Sequence, residues 1–232
     1  ILRTGLLFLI MVFSLAMSVS ATDNVTFISG NVNLTGNISQ TLTDVITLNY
    51  TGDSSSTWIQ FTNTALTGPG SNLTIGSITP MQITNNTEAN KTLTVSIPSN
   101  QYAGLYTGSI FASMADNSSV NDTIEVNVTI NEAPNISLSS NNPTMVIGSN
   151  GDLNITVNNT GNKNLTSATY TINQHLTHQT NTSNVILLTP STGSFNVNYS
   201  NSTVLNFSVN LPSDYPTGTY TGNVSVTYDG LT

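Results

Sequence analysis

Sixteen residues of this chain occur twice in recognisable form. Leu93–Gly108 reads LTVSIPSNQYAGLYTG and Phe207–Gly222 reads FSVNLPSDYPTGTYTG. Pro98, Gly104, Tyr106, Thr107 and Gly108 recur as Pro212, Gly218, Tyr220, Thr221 and Gly222, each 114 residues on and without a gap. Upstream, Ile46–Asp53 (ITLNYTGD) recurs as Ile155–Asn162 (ITVNNTGN) at a spacing of 109. A sustained internal match of this kind means two copies of one folding unit. The difference between the two spacings places a short insertion in the middle of the second copy. The boundary falls at Asn131-Glu132-Ala133-Pro134, a polar link ending in proline. The expected units are therefore 22–131 and 132–232, after an N-terminal segment 1–21.

Within each unit the apolar residues alternate with polar ones. The pattern is plain in Val45–Leu48, Leu93–Ile97, Ile124–Ile130, Leu153–Val157, Val204–Leu211 and Val224–Tyr228. A period of two is the signature of a half-buried strand. Turn-forming clusters separate the runs: Thr51-Gly52-Asp53-Ser54, Gly68-Pro69-Gly70, Asn141-Asn142-Pro143 and Asn150-Gly151-Asp152. No helical period longer than two turns stands out after residue 21. The expected fold class is all-β, two tandem immunoglobulin-like antiparallel β-sandwiches behind an N-terminal hydrophobic signal helix.

The repeated run narrows the expectation. A strand ends at Pro98, a turn follows, and Gly104-Leu105-Tyr106 opens the next strand. Immunoglobulin-like sandwiches place a tyrosine at the start of strand F, two residues before the second cysteine position, with its hydroxyl bonded back across the corner. Tyr106 and Tyr220 fit that role, and Gly108 and Gly222 stand where the cysteine would be. Trp58 follows the second strand, where the same fold carries a buried tryptophan. It is expected in the core, with a sugar-stacking platform as the functional alternative. The second unit has no tryptophan in register. The run P-x5-G-x-Y-T-G together with the upstream N-x-T-G-[DN] loop resembles the tandem Ig-like modules of archaeal and bacterial secreted surface glycoproteins, envelope and S-layer-like. It is also similar to the accessory domain following some alpha-galactosidases. The resemblance covers nearly all of Thr22–Thr232. It implies a fold and an extracellular placement, and no particular ligand.

Ile1–Ala21 supports that placement. Arg3 makes a short basic start, Leu6–Met17 is apolar apart from Ser14, and Val19-Ser20-Ala21 offers small residues for cleavage. This is the pattern of a secretory signal peptide. A retained membrane anchor and a pilin-like N-terminal helix are the alternatives, and the membrane is expected to matter only through Ile1–Ala21.

Composition removes several functions. Charged residues make up 6% of the chain, against about 25% in an average soluble protein. Three Lys and Arg cannot build a phosphate-binding surface, so nucleic acid is not an expected partner. With no Cys there is no disulfide framework, thiolate metal site or Cys nucleophile. The 33 Asn, 29 Ser and 38 Thr carry the polarity instead.

Much of that asparagine lies in Asn-x-Ser/Thr sequons. These fall at Asn24, Asn33, Asn37, Asn49, Asn72, Asn85, Asn90, Asn117, Asn121, Asn127, Asn135, Asn154, Asn158, Asn164, Asn181, Asn198, Asn201, Asn206 and Asn223. This is about twice what the composition gives by chance for so weak a motif. Glycans would solubilise a surface with few charges. The alternative is strand geometry: residues i and i+2 share the solvent face, so polar-out strands make sequons by accident.

Chemistry-bearing clusters are weak. His175 and His178 have no third ligand nearby in sequence and are expected in a loop. Asp116, Asp122 and Glu125, with Asn117 and Asn121, bracket a loop without an EF-hand spacing. No G-x-S-x-G elbow exists. No catalytic residue, metal or cofactor is expected, and the protein is not expected to be an enzyme.

The units differ at one end. In the first, Gly108 is followed by Ser109–Met114, a loop, and a last run Ile124–Ile130; the second has no counterpart of that last run. Either the sequence is a piece of a longer chain, or a neighbouring subunit donates the strand. Asn24–Asn37 is the candidate donor. The leading expectation is a non-enzymatic surface module acting as spacer, envelope coat or adhesin, with other envelope or filament subunits, and carbohydrate more weakly, as partners. The alternatives are a filament subunit joined by donated strands through an unpaired edge of the second unit, and accessory domains of a secreted hydrolase.

Overall fold

The computed structural model describes residues 22–228. Ile1–Ala21, expected as signal peptide or anchor, lies outside the described residues, as does Asp229–Thr232. Among the described residues no helix is long and apolar enough to cross a membrane.

Among the described residues sixteen strands form in chain order. The first eight are β1 (Asn24–Phe27), β2 (Val32–Gly36), β3 (Thr41–Thr51), β4 (Ser56–Asn63), β5 (Met81–Thr84), β6 (Thr87–Ser96), β7 (Gly104–Met114) and β8 (Asn121–Ile130). The second eight are β9 (Ile136–Ser140), β10 (Asn150–Asn159), β11 (Leu165–His178), β12 (Val185–Ile186), β13 (Leu188–Thr189), β14 (Thr192–Val197), β15 (Ser202–Asn210) and β16 (Tyr220–Thr227). The alternation that forecast them is also what buries them. In β8, Ile124, Val126, Val128 and Ile130 are all buried, while Thr123, Glu125 and Thr129 are exposed. Asn150-Gly151-Asp152, expected as a turn, instead opens β10, which pairs with β15 from Asn150↔Asn210 onward.

The strands build four sheets. In the first sandwich β1-β3-β6 faces β2-β8-β7-β4-β5. All its pairings are antiparallel except β2 with β8, which run parallel from Val32↔Val126 to Gly36↔Ile130. In the second, β13-β15-β10-β9 faces β11, which carries β12 and β14 on one flank and β16 on the other. Each is an immunoglobulin-like arrangement of two packed sheets over one core.

The cores are unequal. Twenty-two buried apolar residues fill the first, with Tyr50 and Tyr106 at 0% exposure. Twelve fill the second, around Phe207.

Trp58 corrects the sequence expectation. It lies on β4 but is 54% exposed, while its neighbours Thr57 and Ile59 are buried. Adjacent residues of a strand point to opposite faces, so with Thr57 and Ile59 inward Trp58 must face solvent. Tyr50 and Tyr106 supply the aromatic bulk of that core instead.

Candidate functional site

Each sandwich is locked at the same corner. Gly104 (φ +129°) and Gly218 (φ +152°) precede the corner tyrosines in a backbone region that favours glycine. The Tyr106 hydroxyl donates to the Tyr102 carbonyl at 2.9 Å and accepts the Gly70 amide at 3.1 Å. The Tyr220 hydroxyl donates to the Pro216 carbonyl at 2.9 Å. Tyr220 stacks on Tyr215 and meets the His178 ring edge-on, with centroids 6.3 and 4.9 Å away. Burial raises the pKa of the Tyr220 hydroxyl, and Tyr215 adds to the effect.

His178 belongs to this corner and not to a loop. It closes β11, is 6% exposed, and is bonded on both ring nitrogens. Nδ1 accepts the amides of Thr180 and Asn181 at 3.3 and 3.1 Å, which makes Nε2 the protonated nitrogen, donating to the Thr217 carbonyl at 3.2 Å. A histidine with both nitrogens engaged is structural. His175, also on β11, accepts the Leu188 amide. Among the described residues no three His, Asp or Glu gather as a metal site. Asp122 and Glu125 instead tie β8 to the chain around β1, taking the Phe27 amide and the Asn31 side chain.

The second repeated motif clamps the chain entering each sandwich. In the first, the Asp23 carboxylate accepts the Tyr50 hydroxyl at 2.8 Å and the Asp53 amide at 3.3 Å. Burial, and then Asp23, raise the Tyr50 pKa. In the second, the amides of Thr160 and Gly161 both donate to the Asn135 carbonyl at 3.0 Å. Asn162, 1% exposed, donates from Nδ2 to the Asn131 carbonyl at 2.9 Å and accepts the Ala133 amide on Oδ1 at 2.6 Å. Its own carbonyl accepts the Ala103 amide at 2.8 Å. Lys163 pairs with Glu132 at 2.5 Å, and Tyr102 packs edge-on against Tyr199 at 5.2 Å. The link between the two cores is therefore held on both sides by hydrogen bonds.

None of the nineteen sequon asparagines is buried, and fourteen are exposed. The two buried asparagines, Asn159 and Asn162, stand outside sequons. Asn49, Asn85, Asn127, Asn154 and Asn158 are half-buried, and Asn85 already exchanges two hydrogen bonds with the Gly52 backbone.

The remaining feature is a groove of about 900 Å³ beside β16. Leu153, Ile155 and Leu211 line one wall, and Tyr220, Gly222 and Val224 the other. In the first sandwich β7 runs between β4 and β8; β16, its counterpart, pairs only with β11 among the described residues. The consequence is visible side by side. Tyr106, Ile110 and Met114 of β7 are at most 3% exposed, whereas their counterparts Tyr220, Val224 and Tyr228 are only half-buried. Asn24–Asn37, expected as a donor strand, is not available: β1 is paired to β3 and β2 to β8 inside the first sandwich.

No protein-family model and no curated protein matches the sequence. Solved structures similar to the chain include a family 123 glycoside hydrolase from Clostridium perfringens, 14% identical with a TM-score of 0.37 over 48% of this chain and 27% of that one. The secreted serine protease VesC from Vibrio cholerae is 11% identical, with a TM-score of 0.34 over 89% of this chain and 51% of that one. The CupB2 chaperone of Pseudomonas aeruginosa is 8% identical, with a TM-score of 0.34 over 87% of this chain and 98% of that one. The chain thus spans about a quarter and about half of the length of the first two. Likenesses this distant carry no inference about site or role.

Proposed function

We propose that this chain is a non-enzymatic extracellular surface module, a stiff two-sandwich spacer whose exposed strand faces carry N-linked glycans. The carrying observation is that fourteen of the nineteen sequon asparagines are exposed and none is buried, while the two buried asparagines lie outside sequons. Attachment needs an accessible Nδ2, and a surface this poor in charge gains solubility from sugars. The hydrogen-bonded link at Asn131–Asn135 supports the spacer role, because it fixes one sandwich against the next. Ile1–Ala21 supports export.

The test is the intact mass of the protein taken from its own cell envelope, before and after glycan removal. The expected result is a mass above that of the polypeptide which falls on deglycosylation, with modified peptides mapping to exposed sequons such as Asn72 and Asn206. An unmodified mass removes the glycoprotein reading.

A further inference from the structure

The outer face of the five-stranded sheet carries the chain's single tryptophan. The strand register fixes what surrounds it. Gln60 of β4 pairs with Ser113 of β7, and Ser113 with Asn121 of β8, so these three form one row across the sheet. Trp58 stands two residues from Gln60 on the same strand, and therefore on the same face. Gln82 of β5 is its partner on one side. On the other, its carbonyl accepts the Ala115 amide at 2.8 Å, which sets Ala115 beside it. The opposite face is fixed independently: Ile59, Ala112 and Met114 are at most 3% exposed.

The ground between Trp58 and Asn121 is held by Ser113 and Ala115, side chains too small to fill it. They leave a shallow floor, with Trp58 54% exposed at one end and Asn121 exposed at the other. None of Trp58, Gln60, Gln82, Ser113, Ala115 and Asn121 bears a charge. Their amides and hydroxyl match the donors and acceptors of a neutral sugar. Asn121-Asp122-Thr123 is also a sequon. Two strand spacings across and two residues along put its asparagine about 12 Å from Trp58 in the plane of the sheet.

We propose that the N-linked glycan of Asn121 folds back over Ser113 and Ala115 and stacks its first rings on the Trp58 indole. This rests on the glycoprotein reading above and deepens it by giving one sequon a seat on the protein. Asn121 Nδ2 donates to the Ser118 and Ser119 carbonyls at 2.9 and 3.2 Å. The glycosylated amide keeps one hydrogen, enough for one of these bonds. The C–H face of a pyranose lies on the flat apolar indole, and its hydroxyls reach the Gln60 and Gln82 amides. A tethered sugar needs little intrinsic affinity, because attachment holds it near the ring at an effective concentration in the millimolar range. A free oligosaccharide has no such advantage.

Trp58 is the sole tryptophan, so its fluorescence reports on this face alone. The protein is taken from its own cell envelope, and peptide mapping establishes the state of each sequon. Trp58 emission and acrylamide quenching are then compared among the unaltered glycoprotein and its Asn121→Gln and Asn206→Gln variants made in the same cells. Covering one face of the ring leaves about half of its exposed surface to the quencher, so Asn121→Gln should raise quenching about twofold and shift emission to the red. Asn206→Gln, in the second sandwich, should change neither. Should Asn121→Gln fail to fold, Thr123→Ala removes the same sequon and keeps the asparagine. An unmodified Asn121 beside other modified sequons overturns this proposal and leaves the glycoprotein reading standing, whereas no modified sequon at all overturns both. A modified Asn121 with quenching equal to that of Asn121→Gln overturns the stacking alone. A free N-acetylglucosamine disaccharide that, at micromolar concentration, shields Trp58 of the deglycosylated protein as fully as the attached glycan assigns the face to an external sugar and overturns the tethered one.

Discussion

The Tyr220 hydroxyl donates to the carbonyl of Pro216, four residues back, at 2.9 Å. Tyr106 makes the same bond to Tyr102 at the same length. The two corners differ in their surroundings: Tyr106 is fully buried and also receives the Gly70 amide, while Tyr220 is half-exposed beside the groove. Removing one partner of a buried bond costs about 1–3 kcal/mol, and of an exposed one about 1 or less. Tyr106→Phe should therefore lower the melting temperature by several degrees and Tyr220→Phe by less, read by thermal unfolding of each variant. An equal effect would mean that the second corner is as closed as the first.

Trp58→Ala separates a core tryptophan from a surface one. Truncating a buried tryptophan costs about 3–5 kcal/mol. At 54% exposure the expected cost is about 1 kcal/mol or less. Denaturant unfolding checks this, and a collapse of the first sandwich would restore the core assignment.

The strands and the all-β class were legible because they depend on a local signal, a period of two. Trp58 was missed because alternation says which residues share a face and not which face is inside; Thr57 and Ile59 decide that. His178 read as a loop residue because its partners, the Thr180 and Asn181 amides and the Thr217 carbonyl, form only once β11 and the Pro216 corner meet. Asn24–Asn37 looked free because its partners lie far along the chain, with Val32 pairing to Val126. The groove beside β16 takes its walls from both sheets of the second sandwich, and no local pattern marks them.

Alkaline pH should unfold the protein. Tyr50 and Tyr220 both have raised pKa values, Tyr50 through burial first and Asp23 second. In the unfolded chain tyrosine ionises near pH 10. The folded state holds these hydroxyls neutral, so stability is intact below about pH 10 and falls as pH rises beyond it. Thermal unfolding between pH 8 and 11 should show a plateau and then a decline, and Tyr50→Phe should make that decline shallower.

Asn162→Ala should loosen the link between the sandwiches. The side chain is 1% exposed and holds both the Asn131 carbonyl and the Ala133 amide. Losing it leaves two backbone groups without their partner, at about 1–3 kcal/mol. Limited proteolysis at Asn131–Asn135 should accelerate while both cores persist. Unchanged cleavage would mean that Lys163–Glu132 and Tyr102–Tyr199 suffice to hold the link.

The most direct test of the central claim, that two sandwiches with separate cores are joined at a fixed, hydrogen-bonded link, is residue-resolved amide hydrogen exchange. Opening free energies follow local pairing. β7 pairs with β8 from Gly104 to Ser113 and with β4 from Ile110 to Met114, and its paired amides should be protected. The core pair of the second sandwich, β10 and β15, and the link amides of Ala133, Thr160 and Gly161 should be protected as well. Link amides that exchange as fast as those of exposed loops, while both cores stay protected, would contradict a fixed link.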